Sequence, residues 1–502
     1  MAFRHRCFEG GCEVGQQTID IDPITRLEGH GKIRIFLDDD GDVDRAVLQV
    51  PELRGFEEFC VGRPAEEMPR LTPRICGVCP TAHHLASAKA LDAVFGVEPP
   101  PAPAAKKIRE LLHSAFMAED HILHFFFLGG PDFIVGPQAP PKDRNILGVI
   151  AKVGMEVAGR VLEMRKRCRA ILALIGGKAV HPVCALPGGV SKPLTEEDRK
   201  TIAESADLAV DFCQFALEVF DQVVLQNPEY VDLILGDAYQ NRTHYMGLVD
   251  DQGKVSFYDG KVRVVDPDGK QLARFSPADY QTHIAEQVES WTYVKFCYLR
   301  EKGWSGLVDG DDSGVYRVAP LARLNVSTGM ATPLAQAAHD KLYEVLGQKP
   351  VHHTLAFHWA RLVEALQASE RMQELAADPE LTDPAVRNLP TQVPDEGVGI
   401  VEAPRGTLIH HYQTDDRGII TQANLIVATQ NNAAALSLSV EQAAKALIKG
   451  GEVSEGLLNM VEMAFRAYDP CLACATHSYP GTMPLGIEIL DAEGRLVRLI
   501  ER

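Results

Sequence analysis

Two cysteine pairs near opposite ends of the chain are the residues best suited to carry chemistry. Cys76 and Cys79 form one C-x-x-C pair, and Cys471 and Cys474 form another with the same spacing. Each pair is followed by a histidine within a few residues. A fold that joins the two ends would bring four thiolates to one point, and four sulfurs favour a soft metal such as zinc, iron, nickel or copper.

The spacing of the pairs bears on which metal site they form. Structural zinc sites usually bring both pairs within roughly 15–20 residues, because they stabilise a small fold. Here 392 residues separate Cys79 from Cys471. A dithiol redox centre needs only one C-x-x-C pair, whereas a four-cysteine iron–sulfur cluster satisfies the same ligand count. The ligands alone therefore leave the metal open.

Composition and charge set limits on the class of protein. The 502 residues are 46% hydrophobic and 24% charged, which is typical of a globular protein large enough to bury a sizeable core. The formal net charge of -19 argues against a nucleic-acid partner, since binding phosphate backbones needs clustered Lys and Arg.

The N-terminus and the cysteine count predict a cytoplasmic protein. Residues 1–7 lack the apolar core of a secretory signal, and no run of about 18 apolar residues predicts a direct membrane span. Eleven cysteines are an odd number and suit reduced thiols better than a disulfide framework. Cys7 and Cys12, beside His5, are too few for an iron–sulfur cubane and receive no role.

The elements that must position the cysteines follow from the hydrophobic pattern. Alternation over residues 18–22, 32–37 and 44–50 predicts a small antiparallel sheet, with Glu28 in the loop between its first two strands. Glu28 is either a solvated loop acid or a functional one. Pro80 directly follows Cys79, so a helix is expected to begin there, with a dipole that lowers the pKa of a thiol at its N-terminus.

Most of the remaining chain has helical periodicity, and the fold class is therefore predicted as α+β, predominantly helical. We expect a large helical body (residues 71–477) with peripheral hairpins, preceded by an N-terminal sheet region (residues 1–70). The predicted helices are 104–128, 147–175, 196–225, 276–301, 353–377, 440–448 and 455–468, and the other predicted elements are hairpins at 255–265 and 485–500 and a short strand at 424–429.

The segments around the cysteine pairs resemble the large, catalytic subunit of nickel-iron hydrogenases. The motifs are Arg74-x-Cys76-Gly77-x-Cys79-x-x-x-His83 and Asp469-Pro470-Cys471-x-x-Cys474-x-x-His477. Weaker family segments follow in the expected order over essentially the whole chain, at residues 26–30, 54–57, 119–125, 176–182, 402–406 and 426–429. The absence of a membrane segment and the Cys79-Pro80 form resemble the soluble branch of the family.

The resemblance implies a nickel ion bound by all four thiolates. Cys76 and Cys471 would be terminal ligands, and Cys79 and Cys474 would bridge to an iron that carries carbon monoxide and cyanide. Glu57 and His477 match the family's second, structural site for magnesium or iron. The activity implied is reversible heterolytic cleavage of H2, which needs a Lewis acid and a base.

Further roles follow from the same resemblance. Cys471 would be the first base and Glu28 the next proton carrier, while Arg405 would lie above the open metal positions, oriented by Asp120 and Asp469. The remaining matched residues would surround the iron ligands, with apolar contacts for carbon monoxide and hydrogen-bond donors for cyanide; they are Pro404, Val427, Ala428 and Thr429. His83 would either bond near a bridging sulfur or be an ordinary core histidine.

The resemblance also implies partners. An endopeptidase would remove residues 478–502, the C-terminal extension, after His477 once nickel is bound. Electrons would leave through an iron–sulfur small subunit, and further electron-transfer subunits would connect it to a nicotinamide or a heterodisulfide reductase.

Two other functions compete with this interpretation. The quinone-site subunit of respiratory complex I has a similar fold but lacks the metal-binding cysteines. A structural zinc protein would use the four thiols without catalysis. Metal analysis separates all three hypotheses.

Overall fold

The computed structural model describes residues 17–97, 102–347, 349–478, 486–491 and 495–501. Cys7 and Cys12 lie outside these residues. The α-helices are, in chain order, α1 (Phe56–Cys60), α2 (Met68–Leu71), α3 (Pro80–Val94), α4 (Pro103–Leu123), α5 (Pro131–Ile134), α6 (Ile146–Gly176), α7 (Glu196–Phe220), α8 (Pro228–Leu235), α9 (Tyr280–His283), α10 (Pro320–Val326), α11 (Pro333–Leu346), α12 (Phe357–Ala377), α13 (Ala428–Leu447), α14 (Glu455–Arg466) and α15 (Leu472–Ala475).

The strands form several small sheets. In chain order they are β1 (Thr18–Ile21), β2 (Lys32–Leu37), β3 (Val43–Gln49), β4 (Ala185–Leu186), β5 (Gly189–Val190), β6 (His244–Val249), β7 (Lys261–Val265), β8 (Gln271–Phe275), β9 (Ile284–Gln287), β10 (Phe296–Leu299), β11 (Tyr316–Arg317), β12 (Glu396–Ala403), β13 (Gly406–Thr414), β14 (Ile420–Ile426), β15 (Gly486–Leu490) and β16 (Leu496–Glu501).

Sheet topology places one meander at the N-terminus and two sheets inside the helical body. The orders are β1-β2-β3, β11-β6-β7-β8 and β12-β13-β14, and all pairings are antiparallel except β11 with β6. Strands β12 and β13 are buried on both faces and pack against α3. The helix that follows the first cysteine pair is thereby fixed to the centre of the protein.

Long helices build the rest of the core. Helix α12 packs against α4 and α7, and α4 also packs against α6. Most of α12 is buried, including charged residues, because helices surround it. The predicted fold class, α+β and predominantly helical with an N-terminal antiparallel sheet, is confirmed. Within the described residues, no helix is both long and apolar enough to span a bilayer.

Several element predictions are wrong. The predicted helix over 276–301 is two paired strands, β9 and β10, after the short helix α9, because its aromatic and β-branched residues favour extended backbone. The predicted hairpin at 255–265 does not form, since β7 pairs with β6 and β8. The sheets of the body are internal rather than peripheral.

The predicted strand at 424–429 ends earlier than expected. Strand β14 stops at Ile426, and α13 begins at Ala428, twelve residues before the predicted start of that helix. The polar residues at the start of α13 are buried because their amides are hydrogen-bonded: Asn431 donates to the Thr407 carbonyl, and Asn432 donates to the Arg405 carbonyl. The predicted strands at the N-terminus and the C-terminal hairpin are confirmed.

Candidate metal centre

Each cysteine pair lies at the start of a helix. Cys76 follows a 3-10 turn (Thr72–Ile75), and Cys79 directly precedes α3, where Pro80 is the first helical residue as predicted. In the second pair, Cys471 precedes α15 and Cys474 lies within it. Both pairs are therefore held on short, rigid turns.

The fold brings the two pairs together. The Sγ atoms of Cys76 and Cys471 are 3.3 Å apart, and those of Cys79 and Cys474 are also 3.3 Å apart. All four sulfurs lie within 4.8 Å of one another, all four residues are buried, and none forms a disulfide. A tetrahedral site with metal–sulfur bonds of about 2.3 Å has edges of about 3.8 Å, so these thiols can share one ion.

Arg54 joins the two cysteine segments. Its guanidinium Nη2 donates to the Ile75 carbonyl at 2.6 Å and also to the Ala473 carbonyl. The backbone N–H groups of Arg54 and Phe56 donate to the carbonyls of residues 476 and 477. Sequence comparison with the family marked this segment but gave Arg54 no role, because a residue that bridges two distant backbones has no local signature.

The loop carrying Glu28 pairs with the second cysteine segment. The Glu28 carbonyl accepts from Leu472 N–H at 2.9 Å, and Glu28 Oε2 lies 2.9 Å from Cys471 Sγ and accepts from Ala473 N–H at 3.2 Å. Gly29 has φ +86°, and a Cβ there would lie 2.7 Å from Ala473 N, so only glycine fits. Glu28 is therefore not a solvated loop acid.

Crowding of the thiols changes their acidity. Hydrogen bonds from Cys471, Cys474 and Cys79 hold the pKa of the Cys76 thiol far below its ordinary value, while burial raises the pKa of Cys471 and Cys474 well above it. Bonds from Cys471 and Cys474 favour the Cys79 thiolate, but charged Cys76 and burial outweigh them and its pKa is raised. A bound cation is the charge that lets all four thiols ionise.

Glu28 has a raised pKa as well. Burial is the main cause, the negative charge of Cys76 adds to it, and the hydrogen bond with Cys471 acts in the opposite direction. A carboxyl with a raised pKa that contacts a thiol is suited to accept and release a proton. The chemistry expected of Glu28 is therefore compatible with its position.

Arg405 lies over the thiols with two acids behind it. Its Nη1 and Nη2 donate to both carboxylate oxygens of Asp120 at 3.1 and 3.0 Å, and Nη2 also contacts Asp469 at 3.0–3.1 Å. Burial lowers the pKa of Arg405, but Asp120, Asp469 and the thiols of Cys471 and Cys79 outweigh it and hold that pKa well above the ordinary value. Burial raises the pKa of Asp469. The three residues predicted to act together are brought together.

A second buried arginine supports the turn that carries Arg405. Arg323 donates to the Ala403 and Pro404 carbonyls at 3.0 and 3.3 Å, and it pairs with Glu402 at 2.6 Å and Glu364 at 2.5 Å. Sequence reasoning assigned no role to Arg323 or Glu364. The signal that could have found them is a charged residue within an apolar helix, since such residues are rarely fully buried unless paired.

The residues predicted to surround the iron ligands are all buried, namely Pro404, Val427, Ala428 and Thr429. Thr429 contacts the metal ligands directly, because its Oγ1 accepts from Cys471 N–H at 3.0 Å. Its hydroxyl hydrogen remains able to donate to another group. Val427 is the residue before α13, so the start of this helix orients Val427, Ala428 and Thr429.

His83 hydrogen-bonds to another ring rather than to sulfur. Its Nδ1 lies 3.1 Å from His410 Nε2, and burial lowers the pKa of His83 to about 4. His83 Nε2 has no hydrogen-bond partner among the described residues. His83 is thus a neutral ring within the core beside the first cysteine pair.

Glu57 and His477 form a separate pair of side chains that could ligate a metal ion. His477 Nδ1 donates to the Cys474 carbonyl at 2.6 Å, which leaves Nε2 as the ring acceptor, 3.6 Å from Glu57 Oε1. That buried Nε2 has no hydrogen bond with any described residue. Glu57 Oε1 accepts from Leu425 N–H at 2.7 Å. A carboxylate facing an unpartnered imidazole nitrogen fits a hard divalent cation, completed by carbonyl or water oxygens.

Sequence reasoning missed Lys295 beside this pair. Burial raises the pKa of Glu57, but His477 and the positive charge of Lys295 outweigh it, so that pKa is lowered. Lys295 is itself paired with Glu286 at 2.9 Å. It lies in the region wrongly predicted as helix, which concealed its position.

The sequence belongs to a known family. The profile described as nickel-dependent hydrogenase matches residues 54–145 and 312–477, and a HoxL-like profile matches residues 18–53. An iron-sulfur subunit of the F420-non-reducing hydrogenase of Archaeoglobus profundus is 49% identical, over 96% of this chain and 99% of that protein. The NAD-reducing hydrogenase HoxS subunit beta of Cupriavidus necator is 41% identical, over 95% of this chain and 98% of that protein.

Solved structures agree. An NAD+-reducing [NiFe]-hydrogenase in the H2-reduced state matches with a TM-score of 0.85 and 40% identity, covering 92% of this chain and 99% of that one. The Ni-Fe-Se hydrogenase of D. vulgaris Hildenborough matches with a TM-score of 0.72 and 25% identity, covering 92% and 100%. With four buried thiols able to hold a metal, and with profile, sequence and fold in agreement, the chain belongs to the nickel-dependent hydrogenases as a catalytic large subunit.

Proposed function

We propose that this subunit cleaves H2 reversibly and heterolytically into protons and electrons at a nickel-iron centre. The single observation that carries the proposal is the meeting of four buried thiols from the two C-x-x-C pairs, with a carboxylate oxygen of Glu28 2.9 Å from Cys471 Sγ. A structural zinc site would use the thiols but would need no carboxylate in contact with one of them.

The thiols would hold nickel through all four sulfurs and share two of them with iron. The two short Sγ–Sγ contacts support this division, since they pair Cys76 with Cys471, the proposed terminal ligands, and Cys79 with Cys474, the proposed bridging ligands. When bound, the metals supply a Lewis acid and an electron acceptor for H2.

The proton would pass between two groups of the protein. Cys471 Sγ would take it first, and Glu28 Oε2 would receive it across the 2.9 Å contact. The Ala473 N–H, which donates to the same oxygen, would hold that oxygen in place. Glu28 would then return to its carboxylate form by passing the proton on.

Arg405 would bind and orient groups above the metals. Its guanidinium is held in one orientation by Asp120 and Asp469, so the side chain would not need to reorient when H2 arrives. Arg405 and the Thr429 hydroxyl would donate to iron-bound cyanide. Pro404, Val427 and Ala428 would form the apolar surface that carbon monoxide needs.

Glu57 and His477 would hold a second ion, magnesium or iron, with a structural role. We also propose that an endopeptidase removes residues 478–502 after His477, separating this extension from the N-terminal region (residues 1–70) and the body (residues 71–477). The His477 and Ser478 side chains are buried, so the protease would need a local opening of the structure.

Electrons would pass to an iron–sulfur small subunit. Among the described residues, no second group of three or more clustered Cys, His, Asp or Glu side chains is found, and this observation supports a separate subunit as the next electron carrier. The name of one relative, an NAD-reducing hydrogenase, supports a further subunit linked to a nicotinamide. A subunit linked to a heterodisulfide reductase is the alternative that the family resemblance implies. A cytoplasmic location completes the proposal.

Metal analysis and infrared spectroscopy of the purified, matured complex test the function. We expect one nickel per chain and absorption bands of metal-bound carbon monoxide and cyanide. Zinc in place of nickel, without these bands, would show a structural site, and a chain that contains no metal at the cysteines would support a quinone-site relative.

A further inference from the structure

Four basic side chains lie on elements in and around the sheet β6-β7-β8, away from the cysteines, and three of them share neighbours: Gln336 contacts Lys254 at 3.2 Å and His339 at 3.4 Å, and Tyr343 contacts His339 and Lys349. They are Lys254 in the β6–β7 loop, Arg263 on β7, His339 on α11 and Lys349 in the segment after α11, and we name them the basic cluster. Lys349 Nζ donates to the Ser327 carbonyl at 2.6 Å and lies 5.0 Å from the centre of the Tyr343 ring. The His339 ring lies 4.8 Å from the same Tyr343 ring.

The cations of the basic cluster lack acidic partners. In the described part of the chain, the salt bridge of the cluster joins His339 to Asp340, whereas Lys254, Arg263 and Lys349 form none, and the Lys254 ammonium bonds to the Gln336 amide oxygen at 3.2 Å. Arg263 also stands directly opposite Arg274 in the β7–β8 register, an arrangement of like charges that destabilises a sheet. The chain has 69 Asp and Glu against 50 Lys and Arg, so a shortage of acidic residues does not explain why these cations lack acidic partners.

Two buried nitrogens of the cluster are also without partners. Arg263 Nε and His339 Nε2 make no hydrogen bond with any described residue, although His339 is only 6% exposed. His339 Nδ1 is already engaged by Asp340 at 3.0 Å, so the other side of the ring is the one that remains. Buried polar groups are normally hydrogen-bonded, so such atoms indicate a ligand.

The electrostatics agree with this geometry. Burial lowers the pKa of Lys349 to about 7, and the charges of Arg263 and Lys254 lower it further, while only Asp340 acts in the opposite direction. Burial, Lys349 and Lys254 likewise lower the pKa of His339, against its bond to Asp340. The negative charge of Asp340, which is exposed, does not neutralise the positive charges of Lys254, Arg263 and Lys349.

Gly329 lies against the side chains of Lys254 and Gln336. Gly329 has φ +147°, and a Cβ there would lie 2.9 Å from Lys254 Nζ and 2.2 Å from Gln336 Oε1. A larger residue at this position would displace both side chains. The cluster is therefore formed by four separate segments that meet, rather than by one run of basic residues.

We propose that the basic cluster binds one oxyanion of the phosphate class, either free phosphate or the phosphate group of a nucleotide. Several oxygens on one centre can accept from the Arg263 guanidinium, the Lys254 and Lys349 ammonium groups and the protonated His339 ring at the same time. The anion supplies the negative charge that the neighbouring side chains lack. The site shares no residue with the metal centre.

Calorimetric titration of the matured complex tests the site. In a chloride buffer of fixed ionic strength, inorganic phosphate is expected to bind once per chain, and Arg263→Gln to weaken binding at least about tenfold. Lys254→Gln provides a second test at the exposed edge of the cluster. The matched control is Lys166→Gln, which removes an exposed lysine on α6 and leaves binding unchanged. AMP that binds more tightly than phosphate identifies a nucleotide, and equal binding identifies free phosphate.

A stability measurement distinguishes binding from a merely structural role. Without phosphate, Arg263→Gln is expected to be at least as stable as the unmodified chain, because it removes an unbalanced charge; with phosphate, the unmodified chain is the more stable. The proposal is overturned if neither phosphate nor AMP binds to the unmodified chain. It is overturned equally if Arg263→Gln and Lys254→Gln bind both ligands as tightly as the unmodified chain does. It is also overturned if phosphate stabilises the variants as much as the unmodified chain.

Discussion

The metal centre and the basic cluster treat buried charge in opposite ways. Around the thiols, two buried arginines have acidic counter-charges: Arg405 contacts Asp120 and Asp469, and Arg323 contacts Glu364 and Glu402. In the basic cluster the cations have no such partners. The first arrangement fixes groups in place before any reactant arrives, whereas the second depends on a ligand for its balance. Substitutions at the metal centre should therefore abolish metal binding or catalysis. Substitutions in the basic cluster should instead change how binding and stability depend on the anion.

The largest effect is expected from Cys471→Ala. It removes a proposed nickel ligand and the proposed first base together, so nickel retention and H2 oxidation should both be lost. The measurement is metal content and H2 uptake of the purified complex, with Cys168→Ala as a matched control, since Cys168 is a buried thiol outside the metal centre. Normal turnover in Cys471→Ala would exclude Cys471 as a ligand.

Glu28→Gln should slow proton exchange while the metals stay bound. The amide keeps the size of the side chain and can still accept from Ala473 N–H, but it cannot take a proton from Cys471. We expect hydrogen/deuterium exchange activity to fall about 10²- to 10⁴-fold with unchanged nickel content. Exchange at the normal rate would remove Glu28 from the proton route.

Thr429→Ala should have a moderate effect on the centre. It leaves the buried Cys471 N–H without its acceptor, which costs about 1–3 kcal/mol, so nickel loss to a chelator should speed up by about 5- to 150-fold. Thr429→Ser keeps the hydroxyl and should restore both nickel retention and the cyanide infrared bands. Equal behaviour of the two variants would show that the hydroxyl does not matter.

The smallest effect is a pH dependence in the basic cluster. Lys349, with its pKa lowered to about 7, faces Lys254, Arg263, His339 and Asp340. Below about pH 7 Lys349 is charged in both the folded and the unfolded chain, and the full destabilisation of the folded state by its charge is present. As the pH rises from about 7 toward the ordinary pKa of lysine, this destabilisation decreases to zero. Without an anion, Lys349→Met should therefore gain most stability at low pH. Sulfate, which does not titrate in this range, should bind several-fold more weakly at pH 8.5 than at pH 6.

A flat pH profile for sulfate binding in the unmodified chain would contradict the charge balance described for Lys349. The Lys349→Met variant is the control, because it should lose the pH step while the other cations remain. Arg263→Gln should keep the step at lower overall affinity.

Sequence motifs predicted the four thiols and the residues near them, because the chemistry of a metal site restricts residue types at fixed spacing. The same information did not reveal Arg54 or Arg323, whose partners include backbone carbonyls far away in the chain, or Lys295, whose pairing with Glu286 depends on the unpredicted strands β9 and β10. Hydrophobic periodicity predicted the long helices but not β9 and β10, whose strand pairing is a tertiary contact.

The start of α13 shows the limit most clearly. Asn431 and Asn432 have low helix propensity and lie before the predicted helix start at residue 440, yet each amide bonds to the backbone around Arg405. Local preference was overridden by a hydrogen bond to a distant segment. Such overrides occurred where the structure has to hold a functional side chain.

The link that Arg54 makes between the carbonyls of residues 75 and 473 has a consequence for biosynthesis. Cys76 and Cys471 are 395 residues apart, so a ribosome adding about 5–20 residues per second makes the second pair about 20–80 s after the first. During that time the first two thiols are synthesised and wait without their partners. Metal insertion must therefore follow the synthesis of Cys474, and a message cut short before that codon yields a chain that lacks at least one of the four proposed nickel ligands.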